Sequence, residues 1–388
     1  MEKVRFGIVG CGNMGTGHAK NFLDGKIANG YISAVCDINE KKFKFFKEKF
    51  GDSIKYYSNA TDMFKSGECD VVMICTPHYI HPDLAIEALD NDLNCIVEKP
   101  AGVYTLQVKK MLERAERSDK ILGIMFNQRT NPAFKKMREM IQNGSIGEIK
   151  RTNWIITDWY RTQNYYDSGS WRATWAGEGG GVLYNQAPHQ LDLFQWIVGM
   201  MPSKVRAFCH FGKWHNIEVE DDVTCYCEYP NGATGVFITT TADAPGTNRF
   251  EVTGTKGTLI FESVEDKDHL YFKELEVDER VHCMNEGSGF RPPKAKPTVE
   301  IELTGENSQH SGICNNIANA ILGLEDVYAP AKDGINGVML ANAMHLSTWL
   351  NKEIELPFDD ELFYEELKKR IAISKPHEVK ETKVEAQN

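Results

Sequence analysis

The segment GCGNMG, from Gly10 to Gly15, matches the pattern G-x-G-x-x-G and follows the apolar run KVRFGIV. Glycines at these positions permit a tight turn and let the backbone approach a pyrophosphate closely. A helix that begins here would point its free N–H groups and positive dipole end at that pyrophosphate. We therefore predict that Gly10, Gly12, Asn13 and Met14 bind a dinucleotide cofactor. The alternative is a strand–helix turn without a ligand.

A carboxylate, Asp37, ends the second strand pattern about 20 residues beyond the glycines. It would accept hydrogen bonds from the adenosine ribose hydroxyls and repel a 2′-phosphate, which favours NAD over NADP. Lys41 and Lys42 lie nearby in the sequence and leave use of both cofactors open. The alternative role for Asp37 is the N-cap of the following helix, and one carboxylate can serve both purposes.

The third strand pattern ends in CTPHYIHPD, which begins at Cys75. Ligands of open α/β sheets bind at the carboxyl ends of strands, so Thr76 and Pro77 are predicted to border the cofactor. His78 and His81 have a spacing compatible with a metal pair, but no carboxylate or cysteine cluster accompanies them. We therefore predict cofactor or packing contacts for His81, and no metal site in this chain.

A second segment with chemical potential is GEGGGVLYNQAPHQLD, 177–192, which places one histidine behind a glycine turn. The residues just before it, 157–178, include three tryptophans, three tyrosines and two arginines. Aromatic side chains pack on the C–H faces of sugar rings, while arginines and amides bind hydroxyls. The composition predicts a carbohydrate-binding wall, and the alternative is an aromatic-rich contact between subunits.

Strand and helix patterns alternate along residues 1–130. The predicted strands are KVRFGIV, ISAVCD, CDVVMICTP, LNCIVEKP and ILGIMFN. The helices between them begin in GCGNMG, NEKKFKFFKEKF, HPDLAIEALDN and LQVKKMLERAERS. This alternation implies right-handed crossovers and a parallel sheet. We predict an α/β, doubly wound Rossmann domain over residues 1–130.

Residues 131–375 contain longer strand patterns with hairpin signals such as Asn231–Gly232 and Lys256–Gly257. They predict an α+β domain with a large, mostly antiparallel sheet and helices at HQLDLFQWIVG and NSQHSGICNNIANAILG. The Gly/Pro-rich stretch 284–298 is predicted to be a loop. The polar residues 376–388 are predicted to be a disordered tail.

Composition restricts the partners. The formal net charge of −11 lacks the excess of Lys and Arg that nucleic-acid binding requires. No apolar run approaches the roughly 20 residues of a membrane span, and the N-terminus lacks a signal-peptide pattern, so we expect a cytoplasmic protein without a membrane partner. Several of the ten cysteines fall in apolar strand patterns, as buried hydrophobes do. Cys225 and Cys227 would share one face of a strand.

The opening GCGNMG, the strand ends CTP and EKP, and the later GGG…H…D segment together resemble the Gfo/Idh/MocA family. The resemblance covers nearly the whole chain, including GICNNIANAILG and DGINGVMLANAM. It implies a nicotinamide-dependent oxidoreductase that acts on small carbohydrates or polyols. It also implies a homodimer or homotetramer that pairs through the large sheet.

The resemblance assigns proton chemistry to Lys99 of EKP and to His189. Lys99 would hydrogen-bond the substrate hydroxyl and stabilise alkoxide-like charge, and His189 would act as the general base. Glu98 would shape the nicotinamide pocket or orient Lys99. Arg129 would lie at the active-site cleft. The remaining predicted cofactor contacts are Asn127, Trp171 and Arg172. The predicted substrate contacts are Lys99, Tyr160, Arg161, Trp171, Asn185 and His189.

Asn185 departs from the family pattern, in which many members have Asp four residues before the histidine. Residues four apart share a face of a helix, so Asn185 is predicted to lie beside His189. An amide can orient a hydroxyl or an imidazole, but it cannot stabilise an imidazolium by charge. Either Lys99 and His189 carry the proton chemistry alone or another carboxylate substitutes. The candidates for that carboxylate are Asp192, Asp158 and Asp167.

The leading interpretation is an NAD-dependent dehydrogenase that moves hydride between nicotinamide and a secondary hydroxyl of a sugar, glycoside or cyclic polyol. Oxidation of the hydroxyl at position 3 of a glycoside is one subtype of this reaction. One alternative is an NAD-dependent glycosidase that works by transient oxidation, and another is a non-catalytic NAD-sensing regulator. The presence of both Lys99 and His189 argues against the regulator, and accumulation of free NADH would separate the two enzymes.

Overall fold

Strands and helices alternate along the first third of the chain, as the sequence predicts. The computed structural model describes residues 3–376 except 286 and 288, so the predicted tail lies outside the described residues from 377 onward. The elements are β1 (Val4–Val9), α1 (Asn13–Leu23), β2 (Gly30–Cys36), α2 (Lys44–Phe50), β3 (Lys55–Tyr57), α3 (Ala60–Phe64), β4 (Val71–Ile74), α4 (His81–Asp90), β5 (Asn94–Val97), α5 (Thr105–Glu116) and β6 (Leu122–Ile124).

The rest of the chain is richer in long strands. Its elements are α6 (Pro132–Gln142), β7 (Ile149–Ile156), α7 (Gln163–Tyr166), α8 (Pro188–Val198), β8 (Lys204–Phe211), β9 (Glu220–Glu228), β10 (Thr234–Thr240), β11 (Asn248–Gly254), β12 (Gly257–Val264), β13 (Lys267–Glu274), α9 (Glu279–Cys283), β14 (Val299–Glu300), α10 (Gln309–Ile321), α11 (Gly334–Leu350), β15 (Ile354–Glu355) and α12 (Asp360–Ile371).

The first sheet is parallel, with the strand order β3-β2-β1-β4-β5-β6. The order reverses between β1 and β4, which is the point where open α/β sheets bind their ligands. This arrangement confirms the doubly wound Rossmann prediction. The pattern NEKKFKFFKEKF is divided, because a 3₁₀ turn at Glu40–Phe43 precedes α2. The short β3 and α3 were not predicted.

The second sheet has the order β14-β13-β12-β11-β7-β10-β9-β8-β15. Adjacent strands in this sheet pair antiparallel, except that β7 and β10 pair parallel. The predicted mostly antiparallel sheet is therefore confirmed. Cys225 and Cys227 are both buried, as the two-residue period of β9 predicts.

An aromatic core fixes α6 and α8 on one face of this sheet. Trp154 of β7 stacks on Phe250 with ring centroids 4.4 Å apart. Phe134 of α6 packs against Trp154 at 5.9 Å, and Phe194 of α8 packs edge-on against Phe237 at 5.5 Å. Such pairs add about 0.5–1.5 kcal/mol each beyond the area they bury. The aromatic core thus anchors the helix that carries His189.

The opposite face of the second sheet exposes large apolar side chains. Ile155 of β7, Phe208 of β8 and Tyr226 of β9 are all exposed. A homo-oligomer that covers this face stays a prediction. No helix within the described residues is long and apolar enough to span a membrane.

The chain forms two compact units whose boundaries are not contiguous in sequence. The first unit runs up to Thr130 and also includes Asn307–Val338, while the second includes Asn131–Glu306 and the chain from Met339 onward. The domains predicted from the sequence, residues 1–130 and 131–375, place residues 307–338 in the second domain. The structure returns that segment to the first unit because α10 buries Ile313 and Ile317 in the core of the Rossmann sheet.

Arg129 helps to hold the segment Asn307–Val338 in the first unit. Its Nη1 lies 2.7 Å from Asp333 Oδ2, and its guanidinium covers the Phe126 ring at 4.9 Å. Its side chain is almost fully buried. These contacts give it a structural role, and its predicted position at the cleft stays a prediction.

Replacing Arg129 by Met should lower the free energy of unfolding by about 1–3 kcal/mol, because it removes a buried ion pair and its hydrogen bonds. Urea denaturation would measure the change. Arg117→Met, at an exposed position, is the matched control and should be nearly neutral. An equal effect of the two substitutions would contradict a structural role for Arg129.

Candidate active site

The glycine turn between β1 and α1 is required by close backbone packing. Gly10 has φ +99°, and a Cβ there would lie 2.6 Å from the carbonyl oxygen of Cys75. A Cβ on Gly15 would overlap the carbonyl oxygen of Gly10. Only glycine meets both demands, so the turn brings the start of α1 directly against the end of β4.

The same turn leaves an open position at the start of α1. Gly12 is the N-cap and makes no side-chain capping hydrogen bond, and a Cβ there would meet no atom within 4 Å. Asn13 and Met14 begin the helix, and Met14 is exposed. The first backbone N–H groups of α1 can therefore receive an anion.

Asp37 braces the glycine turn from the end of β2. Its Oδ2 accepts a hydrogen bond from Cys11 N at 2.8 Å, and its Oδ1 accepts one from Asn39 N at 2.8 Å. The N-cap of the 3₁₀ turn is Asn39, so the alternative prediction of Asp37 as the helix N-cap is wrong. The chain turns for two residues beyond Asp37 before the first helical residue, which moves the cap to Asn39.

His81 connects the ends of two strands of the first sheet. Its Nδ1 lies 2.9 Å from Pro100 O, and its Nε2 lies 2.7 Å from Thr76 O. The side chain is buried, which lowers the pKa of its imidazole. This is a packing role that fixes Thr76 and Pro77 in place, and a direct cofactor contact of His81 stays a prediction.

Glu98 lies next to Lys99 at the end of β5 and forms a buried pair with His18 of α1. His18 Nε2 and Glu98 Oε1 are 2.6 Å apart, and Glu98 Oε2 accepts a hydrogen bond from Lys99 N at 3.2 Å. Burial raises the pKa of Glu98, but the His18 hydrogen bond and neighbouring positive groups outweigh it and lower the pKa to about 2. Glu98 is thus an anion that holds the Lys99 backbone.

Within the described residues, His18, Cys75 and Glu98 form a group whose possible ligand atoms lie within 4.8 Å of one another. Burial raises the pKa of the Cys75 thiol well above its usual range, so the thiol is neutral. The His18–Glu98 hydrogen bond already uses the facing atoms of those two side chains. The absence of a metal site stays a prediction.

The segment Asn307–Val338 brings two further side chains to the first unit, His310 and Gln309, which the sequence patterns did not reveal. The His310 ring packs edge-on against His18 at 5.3 Å. Gln309 Oε1 accepts a hydrogen bond from Asn127 Nδ2 at 2.5 Å, and Gln309 has φ +48°. A non-glycine residue in this region is strained, which marks the position as one held by its surroundings.

In the second unit, a buried carboxylate shapes the glycine turn before α8. Glu220 has no exposed surface, and its carboxylate accepts hydrogen bonds from Gly181 N at 2.9 Å and Leu183 N at 3.0 Å. His345 Nε2 lies 2.8 Å from the same carboxylate. A Cβ on Gly181 would overlap Glu220 O. The glycine is therefore required by packing on β9.

His189 is the second residue of α8, after Pro188 at the first helical position. It is 8% exposed. Asn185 precedes the helix, in a turn closed by the hydrogen bond from Asn185 N to Gly181 O at 3.0 Å. Asn185 therefore lies outside α8, which begins only at the proline. That Asn185 lies beside His189 stays a prediction.

A buried glutamate bonds the amide of Asn185. The Asn185 Nδ2 group donates to Glu178 Oε1, and Ala173 N donates to Glu178 Oε2 at 2.6 Å. Of the carboxylates that could substitute in the proton chemistry, Asp167 accepts from Gln163 Nε2 at 2.8 Å, Asp192 accepts from Gln195 Nε2 at 3.3 Å, and Asp158 is exposed. Their part in the proton chemistry stays a prediction.

Tyr165 joins Asn185 to the predicted carbohydrate wall. Its hydroxyl donates to Asn185 Oδ1 at 3.3 Å and accepts from Arg172 Nη1 at 2.9 Å and Gln186 Nε2 at 3.3 Å. Burial raises the pKa of Tyr165, Arg172 and Arg161 oppose that rise, and the phenol stays protonated at neutral pH.

Arginine and aromatic side chains surround Tyr165. The guanidinium of Arg172 lies over the Tyr165 ring at 4.6 Å and over the Trp171 ring at 4.8 Å. Arg161 lies over the Tyr165 ring at 5.1 Å and donates to Tyr160 O at 2.8 Å. The structure therefore brings the predicted Arg161, Trp171 and Arg172 together around Tyr165, which the sequence patterns did not single out, while Tyr160 is exposed.

Two family models match the two parts of the chain. The oxidoreductase family with an NAD-binding Rossmann fold matches residues 4–126, and the GFO/IDH/MocA C-terminal domain matches residues 134–260. This chain belongs to the Gfo/Idh/MocA family.

Relatives within the Gfo/Idh/MocA family include dehydrogenases of cyclic polyols. The chain is 26% identical over 270 residues to myo-inositol 2-dehydrogenase of Thermotoga maritima, which covers 68% of this chain and 76% of the relative. It is 28% identical over 261 residues to the rhizopine catabolism protein MocA of Rhizobium meliloti, which covers 66% and 78%. A crystal structure of the WlbA dehydrogenase from Chromobacterium violaceum with NADH and UDP-GlcNAcA has TM-score 0.78 and 26% identity, over 92% of this chain and 97% of that one.

The first unit of this Gfo/Idh/MocA protein fits the NAD that its family model implies. Gly12 leaves space at an uncapped helix N-terminus. Thr76 Oγ1 and Asn127 Oδ1 are buried oxygens without a hydrogen-bond partner among the described residues. They follow β4 and β6, at the carboxyl edge of the sheet where a dinucleotide binds. Asp37 directly follows β2, and its contact with the ribose hydroxyls stays a prediction.

The substitution Asp37→Ala should raise the Kd for NADH about tenfold or more, since hydrogen bonds to a charged acceptor contribute about 1.5–3 kcal/mol. The Kd for NADPH should rise less, because the carboxylate no longer repels its 2′-phosphate. Titration of nucleotide fluorescence would measure both constants, with Asp52→Ala at an exposed position as control. An unchanged NADH-to-NADPH preference would contradict the assigned role.

His310 should make the protein less stable in mild acid. Burial lowers the pKa of His310 to about 4 from 6.5. The unfolded state therefore binds more protons between these values, and the folded state loses up to about 3 kcal/mol as pH falls through that window. His310→Asn should flatten the stability profile there, measured by urea denaturation. His210→Asn, on the exposed side of β8, should leave the slope unchanged.

Proposed function

We propose that this protein is an NAD-dependent dehydrogenase that acts on a secondary hydroxyl of a sugar, glycoside or cyclic polyol. The observation that carries the proposal is the cluster around Tyr165, in which Arg172, Trp171 and Asn185 present hydrogen-bonding groups beside aromatic faces. Such surfaces bind the polar edges and apolar faces of sugar rings. The names of the inositol and nucleotide-sugar relatives support the same substrate class.

In the first unit, Lys99 is the group proposed to bind the reacting hydroxyl. Its backbone is held by the anionic Glu98, which His18 in turn anchors to α1. A cation at this position stabilises negative charge that develops on the hydroxyl oxygen. The bound nicotinamide would supply the acceptor or donor of hydride. We place it against Thr76, Asn127 and the start of α1.

In the second unit, His189 is the proposed general base. His189 lies in the first turn of α8, and Phe194 of the same helix packs on the aromatic core of the sheet. An imidazole can take the hydroxyl proton in oxidation and return it in reduction near neutral pH. Asn185 is proposed to bind a second substrate hydroxyl through its side-chain oxygen.

A ring-shaped substrate is the narrower form of this proposal. Flat aromatic faces such as Trp171 match the C–H face of a pyranose or an inositol better than an open-chain polyol. Oxidation at position 3 of a glycoside is one reaction of this kind. We also propose that the exposed apolar face of the second sheet pairs two or more copies of the chain.

The test is NADH formation with a panel of pyranoses, inositols and aryl glycosides. Lys99→Ala and His189→Ala should each lower kcat/KM by about 100- to 10,000-fold, the range for loss of an acid–base group. Lys55→Ala, at an exposed position of the first unit, is the matched control and should retain activity.

Other results would redirect the assignment. Cleavage of aryl glycosides without accumulated NADH would identify a glycosidase that works by transient oxidation. NAD binding without turnover of any substrate would identify a regulator. Full activity of His189→Ala would show that another group accepts the proton.

A further inference from the structure

Glu178 is a buried carboxylate in contact with the Asn185 side chain. It is 2% exposed, and it follows Gly177 immediately before the glycine run. One carboxylate oxygen accepts a hydrogen bond from the Asn185 side-chain amide. The other accepts a hydrogen bond from Ala173 N at 2.6 Å. Ala173 has φ +51°, a conformation that costs an alanine free energy. The Glu178 hydrogen bond therefore holds a strained backbone and the Asn185 side chain together.

This contact determines which end of the Asn185 amide faces outward. Because Nδ2 donates to Glu178, Oδ1 faces the Tyr165 hydroxyl at 3.3 Å and serves as the acceptor. An aspartate at 185 would instead put a second carboxylate against Glu178. Two carboxylates at hydrogen-bonding distance cannot both stay ionised without a large cost. Asparagine at 185 and glutamate at 178 are thus electrostatically matched.

We propose that Glu178 and Asn185 form a matched carboxylate–amide pair that the substrate-binding side of the second unit depends on. Glu178 is a positioning residue: it orients Asn185 and, through Tyr165 and Arg172, the groups assigned to the substrate. The inference rests on the proposed dehydrogenase function for its catalytic consequence. Its electrostatic part, the mutual exclusion of two carboxylates, rests on the contacts within the second unit alone.

The test is a double-mutant cycle of Glu178→Gln, Asn185→Asp and the two combined. Each single substitution should lower kcat/KM about tenfold or more, because the first removes the charge and the second opposes two charges. The double variant restores one carboxylate and one amide, with their positions exchanged. It should recover to within about threefold of wild type. Loss in the double variant equal to the product of the single losses would overturn the proposal.

The pH dependence separates a positioning role from mere support of the fold. In Asn185→Asp, kcat/KM should acquire an additional ionisation that is absent from wild type and from the double variant, because the paired carboxylates share a proton. The same ionisation should appear in stability: the deficit of Asn185→Asp should shrink as the pH falls from about 8 to about 5. A pH-independent deficit would overturn the proposal. Asn216→Asp and Glu302→Gln, both at exposed positions, are the matched controls.

The stability measurement needs no substrate, so it distinguishes the two hypotheses. If wild type oxidises no member of the panel, the proposed function fails, while a pH-dependent deficit cancelled in the double variant still supports the Glu178–Asn185 pairing. If wild type is active and the two substitutions act independently in both activity and stability, the dehydrogenase stands and the pairing is wrong.

Discussion

A carboxylate removed from water must be matched by hydrogen-bond donors, and this constraint shapes both units next to the residues assigned to chemistry. Glu98 is matched by His18 and the Lys99 backbone. Glu220 is matched by the backbone N–H groups of the second glycine turn, and His345 Nε2 lies 2.8 Å from its carboxylate. An unmatched buried charge would cost several kcal/mol. The donors therefore have little freedom to move, and neither do the segments that carry them.

Glycine is required for a different reason in each of the two glycine turns. Gly10 adopts a positive φ and lies against the carbonyl of Cys75, which closes the β1–α1 connection. Gly181 makes room for the backbone of Glu220 and leads into the turn before α8. The first turn leaves an open helix N-terminus for an anion. The second sets the point at which α8 begins, and hence the position of His189.

Periodic patterns predicted most of the fold and part of the site. Buried strands and amphipathic helices repeat along the sequence, and turn signals such as Asn231–Gly232 mark where they end, so local chemistry is enough to find them. The three-residue β3 is too short to show a period. The Asn185–His189 prediction applied helical spacing to a segment that forms a turn, because nothing in the local sequence shows that Glu220 holds it.

The sequence by itself determined the alternation of strands and helices in the Rossmann domain and the glycine turn after the first strand, because each depends on residues close together in the chain. The roles of Asp37, Lys99 and His189 stay predictions. Only the tertiary structure decided that the segment 307–338 joins the first unit and that Glu178 meets Asn185. The chosen partner of a buried polar group depends on which distant segments the core brings together. No periodic pattern carries that information, since hydrogen-bond satisfaction is settled only after the chain has packed.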